Sequence, residues 1–296
     1  MPDFLLDGAT IWPIALLLSL MVGSFVNVVI LRLPRMMELE WQAEVDSLAK
    51  DEQSTEPSTE PSKIAPPPAF NLSTPRSRCN NCAHRITWYE NVPVVSYLVL
   101  RGKCSKCGVG ISKRYPLIEA LSAVLGAYIG FRYGLGFEGI GLLLLTWSLI
   151  ALSFIDIDHH LLPDRITLPL LWLGLLLNTQ ELFTTLSSAV WGAAMGYLVL
   201  WGVYWGFKLL TGKEGMGYGD FKLLGAIGAW GGVAVLPATI LISSVVGVVL
   251  TLVIAALGKR SASEPLPFGP YLAIAGWIAI LWGEQINNWY LNMLLV

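Results

Sequence analysis

Apolar stretches of membrane-crossing length recur along the whole chain. A helix needs about 20 residues to cross roughly 30 Å of hydrocarbon. Such stretches fall near residues 10–31, 117–133, 138–155, 166–180, 186–207, 222–232, 233–257 and 268–290, the fourth and sixth being short. An all-α polytopic membrane protein with about eight transmembrane helices is therefore expected. Composition agrees: 54% of residues are hydrophobic and only 14% charged, where soluble domains carry about 25%. Twelve tryptophans suit a protein with two membrane–water interfaces. The opening "MPDFLLDGAT" lacks the basic region of a secretory leader, and no small-residue cleavage site follows, so the first apolar segment is expected to be a retained span.

The stretch 222–257 is ambiguous. As one helix it would be about 54 Å long, too long for a single crossing, and Gly231-Gly232 is a plausible break. Charge supports the break. With the N-terminus outside and eight spans, 18 of the 19 basic residues lie inside, among them Arg32, Lys213, Lys259 and Arg260; only Arg132 falls outside. Such a bias is what membrane insertion imposes.

Charge is costly near lipid, yet "SFIDIDHHLLPDRITLPLLWLGLLL" places three aspartates between apolar runs. Asp156, Asp158 and Asp164 lie at the inner end of the third span and in the turn that follows. A second acidic site, Asp220 in "GMGYGDFKLLG", opens the sixth span at the same membrane face. Helix-end charges and caps account equally well for Asp158 and Asp164. That reading is weaker for Asp220, because Gly215, Gly217 and Gly219 strip its approach of side chains and leave room for a backbone or substrate. Two carboxylates sharing a low-dielectric site cannot both ionise easily, so one keeps a proton and the other acts as base. Such a pair can activate water against a peptide carbonyl. The chain has no GxSxG, HExxH or Walker A pattern. His159 and His160 are neighbours about 100° apart on a helix, a poor arrangement for a shared metal.

"FIDIDHHLLPD" followed by "GYGDFKLLGAIGAW" resembles the type IV prepilin leader peptidases, membrane aspartyl proteases of the GxGD kind. "GSFVNVVILRLP", "CNNC" with "CSKC", "RYPLIEALSA" and "PFGPYLAIAG" extend the resemblance over nearly the whole chain apart from residues 38–70. It implies that Asp156 and Asp220 are the catalytic pair. It also implies cleavage of the short basic leader of type IV prepilins or type II secretion pseudopilins, on the cytoplasmic side of the bacterial inner membrane. Many members then methylate the new N-terminus with S-adenosylmethionine. No soluble-type GxGxG cofactor loop is present, and no cofactor-binding residue is assigned. Gly23-Ser24 reads as a helix-packing face, and Arg32 as an interfacial anchor.

All four cysteines lie in one inside loop, as Cys79-x2-Cys82 and Cys104-x2-Cys107. Paired knuckles of this kind suit one tetrahedral Zn²⁺ in a small cytoplasmic zinc-ribbon-like module. A reducing cytoplasm disfavours disulfides there. Four protein ligands leave no open position for water, so the metal is expected to be structural.

The chain is thus expected to divide into the first transmembrane helix and N-terminal motif (1–37), a flexible acidic and Pro-rich linker (38–70), the four-cysteine module (71–115) and the membrane protease domain (116–296). "MELEWQAEVDSLAK" can form a helix at the start of that linker. Expected partners are prepilins or pseudopilins and membrane lipid, with no nucleic acid. The rival readings are an ion- or proton-coupled transporter and an assembly scaffold. A transporter would spread acids through span centres and carry an internal repeat; the acids here cluster at one face, and no repeat is visible.

Overall fold

The computed structural model describes residues 8–53, 70–213, 215–256 and 267–294. Among these residues the chain is helical apart from turns and two isolated antiparallel bridges. Eight longer helices coincide with the eight apolar stretches: α1 (Gly8–Gln53), α3 (Arg114–Tyr133), α4 (Phe137–His159), α5 (Asp164–Leu177), α6 (Leu186–Thr211), α7 (Tyr218–Gly231), α8 (Val235–Ala256) and α9 (Gly269–Leu294). A single turn and a half, α2 (Val95–Val99), lies between α1 and α3. Among the described residues four helices, α1, α4, α6 and α8, are long and apolar enough to cross a membrane, and α9 carries a shorter apolar run, Gly269–Gly283.

The break expected at Gly231-Gly232 is present. α7 ends at Gly231, and Gly232 adopts φ +77°, a conformation that side chains resist. The basic pair that argued for this break, Lys259 and Arg260, lies outside the described residues. The helix expected over 37–50, at the start of the linker, is present, and it is the unbroken continuation of α1 to Gln53. Its Glu, Leu, Gln and Ala residues favour helix, and nothing interrupts them before Gln53. Residues 54–69 of the expected linker lie outside the described residues.

The structure has two compact units, residues 1–19 with 122–296, and residues 20–121. In the first, α7 is the central element and packs against α5, α6, α8 and α9. Every residue from Phe221 to Trp230 except Lys222 is buried, as expected of a helix apolar on all sides. At 14 residues, α5 and α7 are about 21 Å long, short of a full crossing. α6 approaches α7 backbone to backbone: a Cβ at Gly228 would stand 2.2 Å from the Gly192 carbonyl oxygen, and one at Gly196 would stand 2.6 Å from that of Leu224. Small residues at these crossings permit van der Waals packing where lipid supplies no hydrophobic drive. Buried polar groups lock the ends. Asn178 donates to the carbonyls of Ala229 and Trp230 and accepts from the N–H groups of Phe183 and Thr184. The Trp230 indole donates to Leu170 O at 2.9 Å, and the Trp277 indole donates to Thr146 Oγ1 at 2.9 Å, joining α9 to α4.

In the second unit the Arg32 guanidinium donates to the carbonyls of Asn71, Leu72 and Pro75. The residue expected to anchor a span at the interface therefore clasps the chain entering the cysteine module.

Candidate active site and metal centre

Asp156 lies in the last turn of α4, and Asp220 in the first turn of α7. Each is 6% exposed. α4 stops just past Asp156: His160 turns left-handed at φ 51° and its N–H caps the Asp156 carbonyl, with Pro163 beyond. α7 starts at Gly217, whose N–H donates to Asp220 Oδ2 at 3.2 Å. The negative side chain thus sits where the helix presents its unpaired N–H groups. Across the unit, the N–H of Gly269, the first residue of α9, donates to Asp156 Oδ2 at 2.9 Å.

Leu162 joins these pieces. A Cβ at Gly269 would meet Asp156 Oδ2 at 2.7 Å and Leu162 Cδ2 at 3.1 Å, and a Cβ at Gly219 would meet Leu162 Cβ at 2.7 Å. The α4–α5 turn is therefore wedged between the start of α9 beside Asp156 and the start of α7 beside Asp220. Leu162 is thus the common neighbour of the backbone beside each carboxyl. An acidic pair held by backbone N–H donors, in a site largely closed to water, is able to hold one shared proton.

The glycines before Asp220 differ from their sequence reading. The space beside Gly219 is filled by Leu162, and that beside Gly215 by Phe207 at 2.9 Å; only Gly217 has no tight neighbour. The close approach at Gly219 and Gly215 is made by the chain itself.

Asp158 and Asp164 are exposed. Asp164 is the first residue of α5, after the N-cap position held by Pro163. Both its oxygens accept from Lys222 Nζ at 2.7 Å, which ties α5 to α7 two residues beyond Asp220. Sequence reasoning missed Leu162, Lys222 and Gly269. The motifs "HHLLPD", "GDFKLLG" and "PFGP" contain all three, but their contacts join residues from 57 positions apart, Leu162 with Gly219, to 113 apart, Asp156 with Gly269, beyond any local pattern.

The four cysteines converge. Their Sγ atoms all lie within 4.8 Å of one another, with Cys79 to Cys107 at 3.8 Å and Cys82 to Cys104 at 4.0 Å. Four thiolates around Zn²⁺ at about 2.3 Å would stand about 3.8 Å apart, so the donor set fits a metal ion. The two knuckles fold alike. Cys79 N–H donates to His84 O and Ala83 N–H returns to Cys79 O; Cys104 N–H donates to Val109 O and Gly108 N–H returns to Cys104 O. The residue after each second cysteine is left-handed, Ala83 at φ 54° and Gly108 at φ 70°.

Glu90 links the knuckles, accepting from Thr87 N–H and Thr87 Oγ1 in one and from Ser105 Oγ in the other. The Ser105 hydroxyl, the Thr87 N–H and the Thr87 hydroxyl hold its carboxyl down at about 2. Cys79 is pulled below an ordinary thiol by the N–H groups of Cys82 and Asn81, and Cys107 by that of Val109. Cys82 goes the other way. The His84 N–H pulls it down, but burial and the surrounding thiols outweigh this and push it up to about 11. Without a cation the cluster resists full ionisation; a divalent metal would remove that opposition.

Comparison with known proteins places this geometry. Residues 17–133 match the Bacterial Peptidase A24 N-terminal domain, and residues 143–252 match the Type IV leader peptidase family. The chain is 55% identical over 278 residues to the prepilin leader peptidase/N-methyltransferase of Stutzerimonas stutzeri, covering 94% of this chain and 93% of that one. It is 52% identical over 293 residues to the protein of the same name from Pseudomonas aeruginosa, covering 97% and 98%. Identity to the one from Aeromonas hydrophila is 53% over 280 residues, covering 94% and 93%. No solved structure matches the chain. With similarity of this depth along nearly its full length, the chain belongs to the type IV leader peptidase family, an aspartic peptidase family whose relatives named here are prepilin leader peptidase/N-methyltransferases.

Proposed function

We propose that the protein cleaves the basic leader from type IV prepilins and type II secretion pseudopilins at the cytoplasmic face of the bacterial inner membrane, and then methylates the new N-terminus. The observation that carries the peptidase half is the pair of buried carboxyls, Asp156 and Asp220, brought from the end of one helix and the start of another. In this reading they share one proton. The ionised member takes a proton from water as the water oxygen attacks the scissile carbonyl carbon. The protonated member donates to the carbonyl oxygen, and the carbon–nitrogen bond then breaks with a proton passing to the leaving amine. Gly217 and Gly269 hold the two side chains in place through their N–H groups, so little reorganisation is left to the moment of reaction.

The membrane domain would make about eight crossings within residues 116–296 and the first helix of 1–37, with α5 and α7 short and shielded by longer neighbours. Residues 38–70 would connect to the module at 71–115, where Cys79, Cys82, Cys104 and Cys107 would hold a structural Zn²⁺. S-adenosylmethionine, when bound, supplies an electrophilic methyl group for the second reaction. Wild-type enzyme in lipid nanodiscs should cleave purified prepilin, and Asp156→Asn and Asp220→Asn should each abolish cleavage while leaving the protein inserted and folded. Wild-type cleavage by either variant would refute the assignment.

A further inference from the structure

The second unit contains a cavity of about 630 Å³, within the roughly 300–1,000 Å³ typical of small-molecule sites. Its apolar wall includes Val28 and Leu31 of α1, Leu100 after α2, and Ile111. A buried carboxylate, Glu119 of α3, opens onto it and is 9% exposed. Glu119 Oε2 accepts the Val94 N–H at 2.7 Å, and the Ser24 hydroxyl hydrogen-bonds the same group. Beside it, Asn27 is pinned through Nδ2 to Gly23 O and Tyr115 O. Peptide hydrolysis by the two aspartates makes no use of Glu119, and among the described residues no ion pair neutralises it. The lining is mixed: Arg32, Arg76 and Arg78 also face the cavity and suit a carboxylate, while the buried Glu119 carboxylate suits a cationic group such as an ammonium or a sulfonium.

We propose that this cavity is the methyl-transfer site, with Glu119 receiving the proton of the substrate's new N-terminal ammonium. The proposal rests on the N-methyltransferase half of the function above. The ammonium proton passes to the Glu119 carboxylate and frees the nitrogen lone pair. Nitrogen then bonds to the sulfonium methyl carbon, the carbon–sulfur bond breaks, and its electron pair stays on sulfur as a neutral thioether. Val94 N–H and Ser24 fix the carboxylate's orientation. Glutamine at 119 would keep the shape and an acceptor for Val94 but could not take the proton.

The test uses the full-length enzyme in nanodiscs with three readouts: prepilin cleavage, methyl transfer from labelled S-adenosylmethionine, and calorimetric binding of S-adenosylhomocysteine. Glu119→Gln should cleave and bind as wild type does while methyl transfer falls by about 100-fold or more. Val28→Trp, which fills the cavity, should lose S-adenosylhomocysteine binding and keep cleavage. Photo-crosslinked S-adenosylmethionine on the wild-type enzyme should map to the α1 and α3 segments that line the cavity, a result independent of how any variant folds. Wild-type methylation by Glu119→Gln, or crosslinks confined to residues outside the cavity, would overturn the proposal. A wild-type enzyme that cleaves but transfers no methyl group would overturn the N-methyltransferase reading itself and this assignment with it.

Discussion

The acidic pair and the cysteine cluster are built by opposite means. Asp156 and Asp220 are held by whole helices: α7 is buried on every side, α6 meets it through glycines, and Leu162 wedges the α4–α5 turn against it. The cysteines are held by two short turns of repeated geometry, tied through a single carboxylate, Glu90. A site of the first kind depends on packing far from its reacting groups. A site of the second kind depends on local turn chemistry and on the ion it would hold. Damage to packing should therefore reach the peptidase and spare the metal, and damage to the knuckles should do the reverse.

The largest effect is expected at the α6–α7 crossing. Gly228→Leu drives a side chain into the Gly192 backbone and should abolish prepilin cleavage, while elemental analysis still finds one zinc per chain. Retained cleavage would show that the crossing does not position Asp220. Gly219→Val, which displaces Leu162, should act in the same direction, with most cleavage lost and zinc kept.

Cys79→Ser with Cys82→Ser probes the other side of the contrast. It should remove the zinc and leave the remaining thiols open to alkylation. Wild-type protein purified without chelators that carries no metal, with all four thiols freely alkylated, would contradict the metal assignment.

Legibility in the sequence divides along the same line. The knuckles were readable because their chemistry is local: two CxxC pairs, each followed by a residue that turns the chain. The apolar stretches and the break at Gly231-Gly232 were readable because hydrophobicity and charge are costly to misplace in lipid. The wedge of Leu162, the Gly269 donor and the Lys222–Asp164 pair were not, since each depends on which helices become neighbours. The glycines before Asp220 show the limit well. Their spacing signals close approach, but only the fold reveals that Leu162 and Phe207 make it. The helix over 37–50 was readable from helical propensity, whereas its unbroken continuity with the first span was not.

Smaller effects sharpen the comparison. Glu90→Gln should weaken zinc binding by about tenfold, the low end for groups that support metal ligands. With its carboxyl held down at about 2, Glu90's contribution is fully present above the ordinary carboxylate range. It is lost only as pH falls through about 2, so zinc titrations at neutral pH read the whole effect. Lys222→Met removes a half-exposed ion pair worth about 1 kcal/mol or less, so cleavage should fall by less than about tenfold. A larger loss would place Lys222 in the chemistry. Ala83→Gly relieves a left-handed alanine that costs about 1–2 kcal/mol, offset in part by about 0.4–1 kcal/mol of unfolded-chain entropy. A slight rise in the melting temperature of the module is expected.

The central claim is that Asp156 and Asp220 act as one unit, and the most direct measurement is the cleavage rate of Asp156→Asn, Asp220→Asn and the double variant on one prepilin. Residues that act as a unit lose nearly everything when either is removed, so each single change should cost on the order of 10⁴-fold and the double change little more. Losses that multiply in the double variant, or a single variant that cleaves at the wild-type rate, would contradict the dyad.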